Sequence, residues 1–191
     1  MESIGFTLFD AAVGRCGIAW GDQGIVAVQL PERSDTETRT RLLRKAPGAV
    51  DAEPDANVRG VIADIVALLE GELRDFSMVR YDERGVSEFN RRVYEVALTI
   101  PPGETLTYGD IANRLGEPGA ARAVGKALGE NPWPIMVPCH RVLAAGGRTG
   151  GFSAPGGIDT KLKMLSIERR HRSGPRMLFD DDPNFDYRAR A

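Results

Sequence analysis

Cys139 and His140 stand side by side in the run Asn131-Pro132-Trp133-Pro134-Ile135-Met136-Val137-Pro138-Cys139-His140-Arg141-Val142, an apolar stretch stiffened by prolines. A thiol with an ordinary pKa of ~8.5 is only a few per cent thiolate near neutrality, so nucleophilic work requires a neighbouring base or cation. His140 and Arg141 are the local candidates. The bland alternative for a free cysteine is burial as a small hydrophobe. Downstream, Leu162, Leu165 and Glu168 recur at spacings of three on a helix expected from Thr160 to Arg170, with Asp159 as its N-cap. A carboxylate on an apolar stripe needs a polar partner, although a surface glutamate rotated off the stripe has the same spacing. If Glu168 meets His140, the carboxylate orients the imidazole, which draws the proton from Cys139.

The elements that must position these groups begin at Ser87. It is expected to cap a helix whose Phe89, Val93, Val96 and Ala97 recur at helical spacing up to Pro101-Pro102. Thr107-Tyr108-Gly109-Asp110 has the form of a capping box leading into Ile111, Ala112 and Leu115, and Gly116-Glu117-Pro118-Gly119 stops that helix. Ala120 to Gly129 supplies the next one. Two short helices around a tight Gly/Pro turn have helix-turn-helix shape, which an ordinary helical hairpin shares. Ala120, Ala121, Ala123, Gly125, Ala127 and Gly129 leave the second helix almost without bulk. A thin helix suits a narrow minor groove, and Arg122 is then the long side chain able to reach between bases. As an ordinary surface arginine it would cover its own helix instead.

The first half carries no chemistry of its own. Phe6 to Phe9, Gly17 to Trp20 and Gly24 to Leu30 are expected strands of an antiparallel meander, separated by Ala11-Ala12-Val13-Gly14 and Gly21-Asp22-Gln23-Gly24. Glu32 to Lys45 is a polar helical candidate and Pro47 to Asn57 an expected loop. Val58, Ile62, Ile65, Val66 and Leu69 mark one face of a further helix. Cys16 is expected to be a packed strand residue.

A chain of 191 residues with 42% hydrophobic content can bury a sizeable core. No apolar run approaches the ~20 residues of a membrane helix, and no basic-then-apolar leader opens the chain, so a cytoplasmic location is expected. Two cysteines exclude a disulfide framework, and two histidines at distant positions offer no metal-ligand spacing; no structural metal is expected. The net charge of -2 divides into -5 over 1–85, +4 over 86–173 and -1 over 174–191. A modestly basic second half can face phosphate while the first faces solvent. The last segment, with Asp180-Asp181-Asp182, Pro183 and Asp186, is an acidic tail expected to be disordered.

The segment from Gly103 to Glu168 resembles the O6-alkylguanine-DNA alkyltransferases, or methylated-DNA-protein-cysteine methyltransferases. The resemblance runs through Gly103-Glu104-Thr105, Thr107-Tyr108-Gly109, Ala120-Ala121-Arg122-Ala123-Val124-Gly125, Asn131-Pro132, Pro138-Cys139-His140-Arg141-Val142, Gly151-Phe152-Ser153 and Glu168. It implies an α/β (α+β) fold: a small supporting N-terminal α/β domain with an antiparallel sheet over 1–85, partly loop at 31–57, then a mostly helical DNA-binding and alkyl-transfer domain with the helix-turn-helix over 86–173.

The resemblance also implies the roles. Cys139 takes the alkyl group, irreversibly and once per molecule, from O6-alkylguanine or O4-alkylthymine in double-stranded DNA. His140, joined to Cys139 through a water in the family, and Glu168 form the proton relay. Tyr108 helps turn the nucleotide out of the stack and gives a proton to the departing guanine, while Arg122 fills the gap left behind. Asn131 ties the Cys139 turn to the helix-turn-helix. Ala121, Ala123, Gly125 and Lys126 join Tyr108 and Arg122 at the DNA, and Phe152, Ser153, Pro134, Val142 and Leu128 line the base pocket. No cofactor, membrane or obligatory protein partner is implied.

The chain departs from the common pattern at Tyr94, where tryptophan is frequent, and at Pro102 and Phe152, where tyrosine is. The loop from Gly151 to Gly157 is longer than usual. Two other readings use the same segments: a non-catalytic module that binds alkylated bases, against which Cys139 argues, and a helix-turn-helix regulator that prefers one operator.

Overall fold

The computed structural model describes residues 4–147, 149 and 157–170. Strands β1 (Gly5–Ala11), β2 (Gly14–Gly21) and β3 (Gly24–Gln29) form the antiparallel meander, with Phe9 opposite Cys16 and Ile18 opposite Val28. A two-residue strand β4 (Val50–Asp51) adds itself parallel to β1, giving the sheet order β3-β2-β1-β4. It falls inside the segment expected to be loop. Both its residues are exposed, so no apolar alternation announced it.

Alternation assigns the two sheet faces. Cys16 and Ile18 point into the main core, while Ala19, with Phe6 and Ala27, packs against Leu42 and Ala46 of the first helical segment. That helix, α1 (Asp35–Lys45), starts at Ser34, whose hydroxyl accepts from the Glu37 amide. It lies close because Gly17 has no side chain: a Cβ there would meet Leu42 Cδ2 at 2.9 Å. Helix α2 (Ala56–Leu69), capped by Asp55, sends Val58, Ile65, Leu68 and Leu69 into the core on the opposite face.

The second half is helical. Ser87 caps α3 (Glu88–Leu98), and Thr107 and Asp110 form a reciprocal capping box at α4 (Tyr108–Arg114). Helix α5 (Ala121–Gly129) follows after a Gly/Pro turn and packs on α4 and α3. Helix α6 (Ile158–Arg170) begins one residue before Asp159. Asp159 therefore lies in the first turn, complementing the helix dipole, and is not the N-cap. Its buried residues are Lys161, Met164, Leu165 and Glu168, whereas Leu162 is only half-buried. None of the described helices is long and apolar enough to cross a membrane. The acidic tail lies outside the described residues.

The core runs without a break from Ile18, Ile25 and Val28 of the sheet through Val93, Ile111 and Val124 to Met164. Trp133 joins the two halves. Its indole Nε1 donates to Ile25 O at 2.8 Å, the Val28 amide donates to Pro132 O at 2.9 Å, and its ring packs on Tyr81 and Tyr94 with centroids 4.9 and 5.9 Å away. Trp133→Ala is expected to cost about 3–5 kcal/mol, the range for emptying a large buried aromatic site. For a chain of this size that lowers the thermal midpoint by roughly 10 °C. A fall of less than a couple of degrees would show that the halves dock by other contacts.

Candidate active site

The segment after α5 is bound to itself. Asn131 Oδ1 accepts from the Trp133 amide at 2.9 Å and Asn131 Nδ2 donates to Val137 O at 2.9 Å, so one buried amide closes the loop that leads from α5 to the thiol. Within it Ile135, fully buried, has φ 77°, a left-handed conformation that a β-branched residue adopts only under strain. Cys139–Arg141 is a single short 3-10 turn, with the Cys139 amide on Val137 O at 2.8 Å. It runs into β6 (Val142–Leu143), which pairs in parallel with β5 (Leu106–Thr107). Because β5 ends where α4 begins, this small ladder fixes Tyr108 beside the Cys139 turn.

Behind the thiol lies a buried polar network centred on Glu168. Its Oε1 is 2.8 Å from His140 Nε2 and 2.8 Å from Arg141 Nη2; Arg141 Nε donates to both oxygens, at 3.2 and 3.1 Å, and the Gly103 amide donates to Oε2 at 3.1 Å. Arg141 Nη1 is held by Ile100 O at 2.6 Å. All three residues are at most 5% exposed. A carboxylate facing Nε2 places the ring proton there and leaves Nδ1 as the basic nitrogen. Nδ1 is buried and has no hydrogen-bond partner among the described residues.

The charges follow from this geometry. Burial alone would raise the Glu168 pKa, but His140 and Arg141 outweigh it and hold it down at about 2, so the carboxylate is ionised. Burial drives His140 down against the pull of Glu168, so the imidazole is neutral and able to accept a proton. Arg141 supplies the permanent counter-charge to Glu168. Burial pushes the Cys139 thiol up, opposed by a hydrogen bond from Asn131 and by the charges of Lys161 and Lys45. Tyr108 is also raised, first by burial and then by Cys139, and keeps its proton at neutral pH. Cys16, by contrast, is an inert core thiol with a pKa pushed by burial to about 12.

One cavity of about 1110 Å³ gathers most of the expected residues: Tyr108, Ala121, Arg122, Gly125, Leu128, Asn131, Pro134 and Cys139 line it. The buried side of α5 is Val124, Ala127 and Leu128, leaving Arg122, Ala123 and Lys126 exposed. Lys126 sits 3.8 Å from Glu130. Gly125 lies against Tyr108: a Cβ added there would meet its ring at 3.9 Å, an ordinary van der Waals contact. Val142 does not line the cavity: its side chain is fully buried, and its carbonyl accepts from Lys161 Nζ at 2.6 Å. Phe152 and Ser153 lie outside the described residues. Tyr94 donates its hydroxyl to Ala127 O at 2.9 Å, bracing α5 from α3. Among the described residues no group of three or more His, Cys, Asp or Glu could hold a metal ion.

Three groups escaped the sequence reading as site residues. Arg141 was visible only as a local cation, not as the clamp of Glu168. Lys161 sits seven residues before Glu168 and so on the same helix face, a spacing that could have revealed it. The basic end of α1, with Arg41, Arg44 and Lys45 on the cavity wall, has no local sequence signal.

Residues 88–170 match the family described as 6-O-methylguanine DNA methyltransferase, DNA binding domain. The chain is 38% identical over 177 residues to a methylated-DNA-protein-cysteine methyltransferase of Mycolicibacterium paratuberculosis, covering 93% of this chain and 99% of that protein. It is 40% identical over 162 residues to the protein of that name from Mycobacterium bovis, covering 83% and 96%. Its fold is similar to the crystal structure of Mycobacterium tuberculosis O6-methylguanine methyltransferase, with TM-score 0.71, 36% identity and 94% and 99% of the two chains covered. The Mycobacterium tuberculosis OGT solved in complex with DNA aligns with TM-score 0.69 at 36% identity, over 87% and 93%. With identity of this degree along nearly the whole length, the chain belongs to the methylated-DNA-protein-cysteine methyltransferase family.

Proposed function

We propose that this protein repairs alkylated DNA directly, moving the alkyl group of O6-alkylguanine in double-stranded DNA onto Cys139 Sγ. The observation that carries this reading is the polarised network beside the Cys139 turn: Glu168 holds His140, the residue that follows Cys139, by Nε2, and the buried Nδ1 has no hydrogen-bond partner among the described residues. A water bridging Nδ1 and Sγ completes the relay, and the thiol proton passes to the imidazole. The thiolate attacks the alkyl carbon; a C–S bond forms as the C–O6 bond breaks. Tyr108, protonated at neutral pH and on the cavity wall, gives its proton to the departing guanine and regains one from solvent or the relay.

A base in duplex DNA is out of reach of a thiol inside a cavity, so the nucleotide is extruded, at a cost of a few kcal/mol. The thin exposed side of α5, with Ala121, Ala123, Gly125 and Lys126, faces the minor groove, and Arg122 enters the stack. Pro134 and Leu128 line the base pocket. The product is a thioether, which no described neighbour can hydrolyse, so each molecule acts once. We assign residues 1–85 a supporting role and 86–173 the reaction and DNA contacts, and a cytoplasmic location accords with two reduced cysteines.

Incubation with duplex containing O6-methylguanine is expected to add one methyl group to the intact mass, located on the peptide that contains Cys139. An unchanged mass with lesion in excess would overturn the proposal.

A further inference from the structure

Lys45 is the last residue of α1, in the half of the chain that carries no other reactive group. A lysine at a helix end ordinarily sits by its own terminal carbonyls, where the dipole favours it. Lys45 reaches away instead: its Nζ donates to Val28 O on β3 at 3.0 Å. The amide of the same Val28 donates to Pro132 O at 2.9 Å, at the start of the loop that ends in Cys139. Two hydrogen bonds thus connect this ammonium to the nucleophile's loop, and Lys45 and Cys139 line the same cavity.

We propose that Lys45 is a positioning residue for alkyl transfer: its ammonium, anchored on the Val28 carbonyl, favours the thiolate form of Cys139. The proposal rests on the reading of Cys139 as the alkyl acceptor. Lys45 as a whole is exposed, but desolvation of its ammonium on the cavity wall brings it down to about 8, partly offset by the thiolate, so it remains mostly protonated at neutral pH. It neither gives nor takes a proton in the step. The other ionisable groups acting on the thiol are Lys161 from α6 and, through their own shifts, Tyr108 from α4 and Tyr94 from α3; His140, Arg141 and Glu168 lie beside it. Lys45 itself faces Arg41 and Glu32, which hold each other at 3.0 Å.

Three variants separate charge from structure. Lys45→Gln keeps a donor for Val28 O without the charge, Lys45→Met removes both, and Lys45→Arg keeps both. The first readout is the pH dependence of Cys139 modification by iodoacetamide, an uncharged reagent that needs no DNA. The second is alkyl transfer from free O6-benzylguanine and from duplex with O6-methylguanine. Gln and Met are expected to raise the apparent thiol pKa and to slow the iodoacetamide and free-base reactions at pH 7 about three- to tenfold, with recovery at higher pH. Arg is expected to keep the parental profile. A parental profile in Lys45→Gln would overturn the proposal. So would a loss confined to duplex, which would mark Lys45 as a phosphate contact. Failure of the unaltered protein to accept methyl from duplex would instead overturn the proposed function, leaving the iodoacetamide profile readable.

Discussion

Replacing Glu168 by alanine is expected to destabilise the protein by about 3–5 kcal/mol, because it leaves Arg141 as an uncompensated buried charge. The same change removes the acceptor that fixes the His140 tautomer, so transfer should fall by several orders of magnitude in whatever fraction remains folded. Glu168→Gln separates the two effects. Its amide retains the volume and one oxygen for Arg141, and it is expected to fold while reacting far more slowly than the parent.

The folded pKa of Glu168, about 2 against 4.5 for the ordinary group, sets the sign with pH. A depressed carboxylate contributes stability that is fully present above the unfolded pKa and is lost as pH falls through the folded one, here between about 4.5 and 2. The gap corresponds to about 3 kcal/mol at 1.36 kcal/mol per unit, the same order as the loss expected for alanine. Unfolding by urea at pH 7 and pH 3 should therefore show parent and Glu168→Gln converging as the medium turns acid. An undiminished difference at pH 3 would mean that the carboxylate's charge is not what stabilises the network.

Arg122→Ala is expected to slow methyl transfer from duplex by about 10²-fold, which is the loss of 2.7 kcal/mol toward a flipping cost of a few kcal/mol. Transfer from free O6-methylguanine should be unchanged, since a free base needs no extrusion. Arg122 is exposed, lines the Cys139 cavity and has no hydrogen-bond or ion-pair partner among the described residues, so its guanidinium is available to DNA. A lesion opposite a mismatch, already loosened, should partly restore the variant. If Arg122 merely meets phosphate, its loss instead weakens binding to every duplex alike and reduces the salt slope by about one. Equal losses on duplex and free base, with no rescue by mismatch, would refute its insertion into the stack.

Much of this organisation could be read along the chain because its signals are short-range. Ser87, Thr107 with Asp110, and Asp55 bond amides three residues away, so caps are visible wherever the residue types occur. Alternation in β1 to β3 and helical spacing in α2 and α3 report which face meets the core. The same logic explains the failures. β4 is two exposed residues held by backbone bonds to β1, Asp159 is displaced by one residue within a first turn, and Val142 is packed into the core while it pairs with Leu106 of β5.

The sequence by itself determined the three-stranded meander and the helices, the adjacency of Cys139 to His140 and the slenderness of α5, since each depends on residues within a few positions of one another. Only the tertiary structure decided that His140 and Arg141 converge on Glu168, 28 and 27 residues away, that the Gly103 amide arrives from 65 residues away, and that Trp133 bonds Ile25 across 108. It likewise decided that Lys45 shares a cavity with the thiol. Such contacts arise from how α1, α6 and β3 pack around the Cys139 loop. A buried charge selects its partner by desolvation and geometry in three dimensions, and neither leaves a period or a motif in the order of residues.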